Sequence, residues 1–376
     1  MYSSKLCFNN GGKFKIMQLA DIQELPQPSA DTIKLLNAAI EKEKPDLIVF
    51  TGDQIYGLSP TFRIGSAENN VKGLIEEILK PVENANIPFA VTFGNHDAQS
   101  GVSNTQQAEI YSHSPCYVSG DIRDSEDRGT CAIGLYSQEN ERVFDLFLID
   151  SNGQTASGEY LPVRHEQLEW FRNTREKSFE NTGKYLPAIV FQHIPCPEFY
   201  NVLQRVKFGT KGAVEAFRTH RHEFYTLPES IRQAGGFMLE SPAVPDKNSG
   251  EFNCLKEKKN VLALCVGHDH NNSFEAELDG IKLIYTQCAG FNVYGPGLQR
   301  GVRIINLDIA DLNSFETHTL TFGELCGNRL SSPVKEFVLT HIPSSMEQIK
   351  RLAALGISAT ALGGAALGCY LRNRKK

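Results

Sequence analysis

Short runs of apolar residues recur along the chain, separated by polar stretches. Five of them span residues 14–20, 46–52, 89–93, 187–192 and 261–267. Each is rich in Val, Ile, Leu or Phe, which is typical of a buried strand, and each is too short for a buried helix. We therefore predict five core strands.

Each run ends at side chains of the kinds that bind metal ions. In chain order these are Asp21, Asp53, the turn Gly94-Asn95-His96-Asp97, His193 and the triplet His268-Asp269-His270. In α/β folds, sites lie beyond the carboxyl ends of strands, so the five strand ends are expected to converge on one place. Each motif alone is also typical of a capped turn or a hydrogen-bonded histidine, but five in succession favour a metal site.

Helical periodicity separates the first three strands. Ser29–Asp31 can cap a helix that ends at Pro45, and apolar residues recur at helical spacing over 67–85. This β-α-β-α-β start predicts parallel strands joined by right-handed crossovers. Farther along, the apolar stretches 130–136 and 143–149 flank a polar turn and predict an antiparallel hairpin.

The periodic pattern is lost between Cys196 and Asn260, which we interpret as an insertion. It contains a basic cluster, Arg218–His222, with the sequence Arg-Thr-His-Arg-His. Such a cluster is usually the solvated face of a surface helix. The alternative is that it reaches an anionic substrate.

The order of the strand-end motifs resembles that of the calcineurin-like metallophosphoesterase superfamily, whose members carry Asp-x-His, Gly-Asp, Gly-Asn-His-Asp/Glu, His and Gly-His-x-His. The corresponding residues here are Asp21-Ile22-Gln23, Gly52-Asp53, Gly94-Asn95-His96-Asp97, His193 and Gly267-His268-Asp269-His270. The resemblance covers residues 12–308. Within it, His193-Ile194-Pro195 and the aromatic, glycine-rich stretch 290–295 are similar to the purple-acid-phosphatase-like branch. The resemblance implies an α/β (α+β) fold, a four-layer αββα sandwich, for residues 12–308.

The resemblance also implies a role for each ligand. Asp53 would bridge two metal ions. One ion would be held by Asp21 and His270, and the other by Asn95, His193 and His268. Mixed nitrogen and oxygen ligands of this kind suit Mn, Fe or Zn and disfavour Ca.

His96 is left over once the metals have their ligands. Asp97 beside it is expected to orient the imidazole and to favour its charged form. His96 could then protonate the leaving alkoxide or stabilise the transition state, a role that the resemblance also implies. The expected reaction is hydrolysis of a phosphate mono- or diester by in-line attack of a hydroxide that bridges the two metals.

One position departs from the family pattern, because Gln23 stands where most of the superfamily has the histidine of Asp-x-His. An amide is a weaker ligand than an imidazole, so Gln23 is expected to bind metal poorly or to hydrogen-bond a metal-bound water. Tyr56 could compensate, since purple acid phosphatases carry a metal-binding tyrosine at that spacing after Asp53. Packing of Tyr56 against the sheet is the alternative. The competing function is that of a membrane-tethered binding or scaffold protein with a degenerate first metal site.

The overall charge argues against nucleic acid as the main partner. The chain has 38 Lys and Arg against 44 Asp and Glu, a net charge of −6. Proteins that bind nucleic acid usually present basic surfaces to the phosphate backbone. The resemblance implies a phosphorylated substrate and leaves its class open. Nine cysteines without a C-x-x-C spacing predict a reducing compartment.

The end of the chain differs in composition from the rest. Residues 309–350 are expected to form an edge segment or a linker. Residues 352–371 carry no charge and are flanked by basic residues, so 351–376 are expected to form a helical membrane anchor. Because the run is only moderately hydrophobic, an amphipathic or partner-bound helix is the alternative. Since residues 1–8 contain no continuous apolar signal segment, the catalytic domain is expected on the cytoplasmic side.

Overall fold

The structure is a computed structural model that describes residues 2, 4–155 and 157–341. The first strands are β1 (Leu6–Cys7), β2 (Lys13–Leu19), β3 (Leu47–Thr51), β4 (Phe89–Thr92), β5 (Asp121–Ile122), β6 (Cys131–Tyr136), β7 (Arg142–Leu148) and β8 (Ala188–Phe191). They are followed by β9 (Gln204–Val206), β10 (Val214–Glu215), β11 (Phe224–Thr226), β12 (Phe237–Met238), β13 (Val261–Val266), β14 (Asn272–Leu278), β15 (Ile281–Tyr285), β16 (Gly301–Asp308) and β17 (Glu316–Thr321). The helices are α1 (Ala30–Glu43), α2 (Ala67–Asn84), α3 (Asn104–Ser112), α4 (His165–Thr182), α5 (Glu229–Gln233), α6 (Glu251–Lys256), α7 (Phe322–Cys326) and α8 (Pro333–His341).

A five-stranded sheet carries the first three metal-type motifs. Its strand order is β17-β16-β2-β3-β4, in which β2, β3 and β4 run parallel and α1 and α2 connect them. Ser29 accepts a hydrogen bond from the amide of Asp31 and caps α1, as predicted. Because the three strands are parallel neighbours, the loops that follow them emerge at one edge of the sheet.

A nine-stranded sheet carries the remaining motifs, in the order β1-β6-β7-β8-β13-β15-β14-β12 with β5 paired to β6. The predicted hairpin is confirmed as the antiparallel pair β6 and β7. Strands β8 and β13 are parallel neighbours, so the loops after them also emerge side by side. A bridge between Ala20 and Cys288 joins the two sheets where these loops meet.

Alternate residues of the strands fill two kinds of core. Val49 of β3 and Ile189 of β8 belong to one cluster of buried residues, packed between the two sheets. Phe50, the neighbour of Val49, packs with α1 and α2 on the outer side of the small sheet. Val190, the neighbour of Ile189, packs with α4 and α6 on the outer side of the large one. The mixed α/β fold of stacked sheets is thereby confirmed.

Residues 204–226 of the insertion form a three-stranded antiparallel sheet, β10-β11-β9. The basic cluster lies between β10 and β11, where 218–220 form one turn of 3₁₀ helix. The surface helix that the sequence suggested for this cluster is thus limited to one 3₁₀ turn, and Thr219, Arg221 and His222 are exposed.

The sheet continues past the expected domain boundary at Asp308. Strand β17 pairs with β16 along its length and is an edge strand of the five-stranded sheet. Beyond it, Arg300 and Glu336 form a buried ion pair (Nε to Oε1, 3.3 Å) that attaches α8 to the domain. No helix among residues 2, 4–155 and 157–341 is long and apolar enough to cross a membrane. The expected anchor, 351–376, lies outside the described residues.

Candidate metal centre

The ligand loops have a strained backbone where they leave the strands. Asp21, Asp53 and His268 have φ values of 51°, 52° and 78°, in the left-handed region that residues other than glycine seldom adopt. Such conformations persist where the surrounding structure fixes them, and they cluster at functional sites.

Two glycines leave room for the carboxylates of these loops. A Cβ added to Gly94 would lie 2.2 Å from Asp53 Oδ1, and one added to Gly267 would lie 2.6 Å from Asp21 Oδ2. Both distances are far below van der Waals contact. The glycines that precede Asn95 and His268 in the motifs are therefore needed for the close approach of the aspartates.

The strand ends converge as predicted. His193 Nε2 lies 3.2 Å from Asp53 Oδ2 and 3.9 Å from Asp21 Oδ1. His270 Nε2 lies 3.4 Å from Asp21 Oδ1, and His268 Nδ1 lies 3.2 Å from His193 Nε2. Ligand atoms of Asp53, His193 and His268 all fall within 4.8 Å of one another, a spacing that one cation can span.

Backbone carbonyls orient two of these imidazoles. His193 Nδ1 is 3.0 Å from the carbonyl of Thr51, and His270 Nδ1 is 2.8 Å from the carbonyl of Tyr294. Each Nδ1–H therefore donates to a carbonyl, so Nε2 faces the carboxylates and offers its lone pair to a cation once a cation displaces its proton. This is the usual arrangement of a metal-binding histidine and its outer partner.

The carbonyl that orients His270 is itself held in place. The fully buried Arg300 donates to that carbonyl of Tyr294 (3.4 Å) and to the carbonyls of Gly290 and Val293. The ring of Tyr294 also stacks on His270, with centroids 4.2 Å apart. Sequence reasoning missed this support, because Arg300 lies 30 positions after the histidine.

Several buried atoms of the site have no hydrogen-bond partner among the described residues. They are Asp21 Oδ1, His268 Nε2 and both amide atoms of Asn95. An unpaired buried polar atom costs about 1–3 kcal/mol, so a cluster of them is rare without a ligand. An aspartate oxygen, an imidazole nitrogen and an amide oxygen are suitable donors to Mn, Fe or Zn, and the residues therefore fit the implied cations.

The two adjacent histidines differ in their affinity for protons. Burial alone lowers the pKa of His193, but the carboxylates of Asp53 and Asp21 outweigh it and raise this pKa to about 10. Burial and the neighbouring His193 charge push the pKa of His268 well below its usual value. A cation at this place would compete with the proton on His193.

The expected role of Asp97 is corrected by its contacts. Its carboxylate accepts hydrogen bonds from the backbone amides of Asp53 (2.9 Å), Ile55 (3.0 Å) and Gly94 (2.8 Å). The imidazole of His96 is oriented instead by Gln99, whose Oε1 lies 2.5 Å from Nδ1. Asp97 thus joins two ligand loops, because three unpaired amides pointing into one buried space need an acceptor.

His96 faces the open side of the centre. Its side chain is 22% exposed, and its Nε2 lies 4.0 Å from Asp53 Oδ2. An imidazole that is accessible and this close to the carboxylates can reach a group bound at the candidate metal centre.

Gln23 and Tyr56, the two further residues considered as metal ligands, have different neighbours. Gln23 Nε2 donates a 2.7 Å hydrogen bond to Asp53 Oδ2. Tyr56 stands edge-on to the ring of His96, with centroids 6.1 Å apart. Gln23 therefore lies beside the proposed bridging carboxylate and Tyr56 beside His96, and their roles as ligands stay predictions.

A cleft of about 470 Å³ opens from the centre, and its wall includes His96, His268 and His270. Its other side belongs to the insertion and includes Phe217 and Arg221. The structure thus brings part of the basic cluster to the mouth of the same cleft.

Comparisons with known proteins agree with this geometry. The model of the calcineurin-like phosphoesterase family matches residues 14–272. A relative from Arabidopsis thaliana, "Probable inactive purple acid phosphatase 14", is 28% identical over 348 residues, 81% of this chain and 78% of that protein. "Phosphatase DCR2" from Saccharomyces cerevisiae is 25% identical over 335 residues, 80% of this chain and 53% of that protein. The solved structure of a dimetal phosphatase from Danio rerio has the same fold, with a TM-score of 0.50 and 12% identity over 82% of this chain and 99% of that chain.

Proposed function

Because this chain belongs to the calcineurin-like phosphoesterase family, we propose that it hydrolyses phosphate mono- or diesters at a centre of two metal cations. The observation that carries the proposal is the cluster of buried polar atoms on Asp21, Asn95 and His268 that have no hydrogen-bond partner among the described residues. Atoms of this kind are costly in a protein that binds nothing there.

The ligand roles in this proposal are those that the family resemblance implies, and the proximity of the side chains supports them. Asp53 would contact both cations, Asp21 and His270 would hold one, and Asn95, His193 and His268 would hold the other. When bound, two such cations supply an activated water and neutralise charge on the phosphoryl group. Mn, Fe and Zn are the metals that suit these donors.

His96 is the proposed general acid. Its Nε2 lies 4.0 Å from Asp53 Oδ2 while Gln99 fixes the other ring nitrogen, so a proton on Nε2 can be delivered to a departing alkoxide. Asp97 acts on the site through the backbone of the ligand loops and does not reach the substrate.

Turnover of an aryl phosphate with and without Mn²⁺ tests the proposal. We expect hydrolysis that requires added metal after treatment with a chelator. Absence of hydrolysis across Mn²⁺, Fe and Zn²⁺ would leave the proposal without support and would favour the second candidate.

The second candidate is a binding or scaffold protein with a weakened first metal site. It is favoured by Gln23, whose amide hydrogen-bonds the bridging carboxylate where a histidine ligand is usual in the family. Relatives with the word "inactive" in their names carry the same implication for those proteins. The Gln23→His variant separates the candidates, because it should create activity in a scaffold and only tighten metal binding in an enzyme.

Tyr56 is a proposed ligand of the first site in either case. A tyrosinate bound to ferric iron absorbs visible light, so iron-loaded protein should be coloured and Tyr56→Phe should bleach it. A colourless iron-loaded protein would assign Tyr56 to packing against His96, the contact it makes in this structure.

We also propose that residues 351–376 anchor the protein to a membrane with the catalytic domain in the cytoplasm. The support is the uncharged run 352–371 between basic flanks. Fractionation of cells that produce the full chain, compared with a chain ending at 350, tests this. Full-length protein found wholly in the soluble fraction would contradict it.

A further inference from the structure

The cleft beside the metal centre contains features that the hydrolytic machinery does not use. Its volume, about 470 Å³, is in the range of sites that bind a small molecule or a few residues of peptide. It runs from the ligand histidines to the insertion, so a group attached to a phosphate at the metals would extend into it.

The wall next to the metal ligands is aromatic. The ring of Tyr160 stands perpendicular to the imidazole of His268, with centroids 4.6 Å apart, and Phe217 lies 5.5 Å from Tyr160. Both aromatic side chains are only half-buried and line the cleft. A flat ring bonded directly to the phosphate oxygen would meet this wall, whereas an alkyl phosphate would leave much of it uncovered.

One cation on the insertion is already neutralised. Arg218 Nε lies 3.0 Å from Asp246 Oδ1, and Arg218 Nη2 lies 3.5 Å from Glu159 Oε1. This guanidinium holds the insertion to the neighbouring loops, and its charge is not available to a ligand.

The neighbouring cation differs. His222 lies 3.6 Å from Glu215 Oε1, but Arg221 has no carboxylate within 4 Å among the residues that the structure describes. Arg221 is exposed and lines the cleft. It is thus a free guanidinium on the same cleft as the aromatic wall and the metal ligands, placed for a carboxylate or phosphate on a bound substrate.

We propose that this cleft selects aryl phosphate monoesters that carry a second negative charge, the chemistry of a phosphotyrosine next to an acidic residue. Tyr160 and Phe217 contact the ring that bears the phosphate, and Arg221 pairs with the second charge. The inference rests on the proposed phosphoesterase function and names the substrate class of that site.

Three matched peptides test the inference on the full chain loaded with Mn²⁺. The first has phosphotyrosine between glutamates, the second replaces the glutamates with glutamines, and the third replaces phosphotyrosine with phosphoserine. We expect kcat/KM to be about fivefold higher for the acidic than for the neutral phosphotyrosine peptide, which corresponds to the upper end of the free energies measured for exposed ion pairs. In affinity measurements on non-hydrolysable phosphonate analogues, where no leaving group departs, the ring should contribute a further three- to tenfold over the phosphoserine analogue.

Two charge-removing variants of the insertion complete the test. Arg221→Gln should erase the advantage of the acidic peptide, mainly through KM. Lys207→Gln removes another exposed charge, one that does not line the cleft, and should retain that advantage. About 0.5 M salt should also weaken the advantage of the acidic peptide, since the pair is exposed.

The outcomes distinguish this inference from the proposed function. No turnover of any ester at saturating metal would overturn the function. Turnover with equal kcat/KM for the acidic and neutral peptides, or an acidic advantage that survives Arg221→Gln, would overturn the inference alone. Calorimetry with the corresponding phosphonate peptides, which cannot be hydrolysed, tests the cleft independently of turnover, and equal affinities for the acidic and neutral forms would refute it.

Discussion

Replacing Asp97 by asparagine should weaken metal binding rather than acid catalysis. The carboxylate Oδ2 accepts from the amides of Asp53 and Gly94, and Oδ1 accepts from Ile55. Asparagine has one acceptor oxygen, so in its best orientation it keeps two of these bonds and turns an NH₂ group toward the amide of Ile55. At least one buried amide then loses its acceptor.

The loss can be estimated from that one unpaired group. A buried donor without a partner costs about 1–3 kcal/mol, or a factor of roughly 5–150 in an equilibrium constant. Burial and the Asp53 charge raise the pKa of Asp97 to about 8 in the metal-free protein. Its carboxyl group is then mostly protonated at neutral pH and, like asparagine, has one oxygen that only accepts, so Asp97→Asn should change the metal-free protein little. Cations bound by Asp53 offset its charge, and the effect should therefore be measured as a difference in metal affinity.

Metal titration by calorimetry, followed by kcat at saturating metal, checks the reasoning. We expect the dissociation constant of Asp97→Asn to rise within the stated range while kcat stays within about threefold of the parent. Asp145→Asn is the matched control, because Asp145 is equally buried and ion-paired with Arg142 at 2.7 Å but lies away from the centre. Unchanged metal affinity with a large fall in kcat would show that Asp97 orients His96 after all.

Three further outcomes follow from the same contacts. His96→Asn should keep its bound metal while kcat falls by about 10²–10⁴-fold. The fall in kcat should be smaller for a p-nitrophenyl ester than for an alkyl ester, and a parallel loss of metal would make His96 a ligand. Gln99→Leu should lower kcat by up to about 10²-fold by releasing the imidazole, with unchanged metal affinity, and an unaffected kcat would contradict that positioning role. Burial raises the pKa of Glu251 from 4.5 to about 8. Between these two pH values the native state holds a proton that the unfolded chain has released. The free energy of unfolding should therefore fall as pH rises through this window, by up to about 1.4 kcal/mol per pH unit. Urea unfolding at pH 5 and pH 8 should show that Glu251→Gln removes part of this decline, whereas an identical decline would place Glu251 in an ordinary environment.

The sequence was sufficient for the features that depend on local pattern. Short continuous apolar runs and the turn residues after them located β2, β3, β4, β8 and β13, and parallel pairing then placed the ends of these strands together. The convergence of Asp21, Asp53, His193 and His270 follows from topology, which the alternation of strands and helices already specifies.

Contacts between distant segments could not be predicted in this way. Adjacency in sequence suggested that Asp97 orients the imidazole of His96. Its carboxylate instead accepts hydrogen bonds from the backbone amides of Asp53 and Ile55, both more than 40 positions away. The support of His270 through Tyr294 and Arg300 depends on how a loop packs after folding, and no periodic signal marks it. The basic cluster at Arg221 acquires its place on the cleft only from the fold of the insertion, whose sequence has no regular pattern.

A joint measurement of metal stoichiometry and turnover tests the central claim most directly. Chelator-treated protein is titrated with Mn²⁺ while bound metal and hydrolysis of an aryl phosphate are recorded together, for the parent chain, Asp53→Asn and the exposed control Asp279→Asn. The account predicts that turnover saturates at two cations per chain in the parent and in Asp279→Asn. It also predicts that Asp53→Asn loses both cations and the activity, because one carboxylate serves both sites. Undiminished turnover in metal-free Asp53→Asn protein would contradict the account.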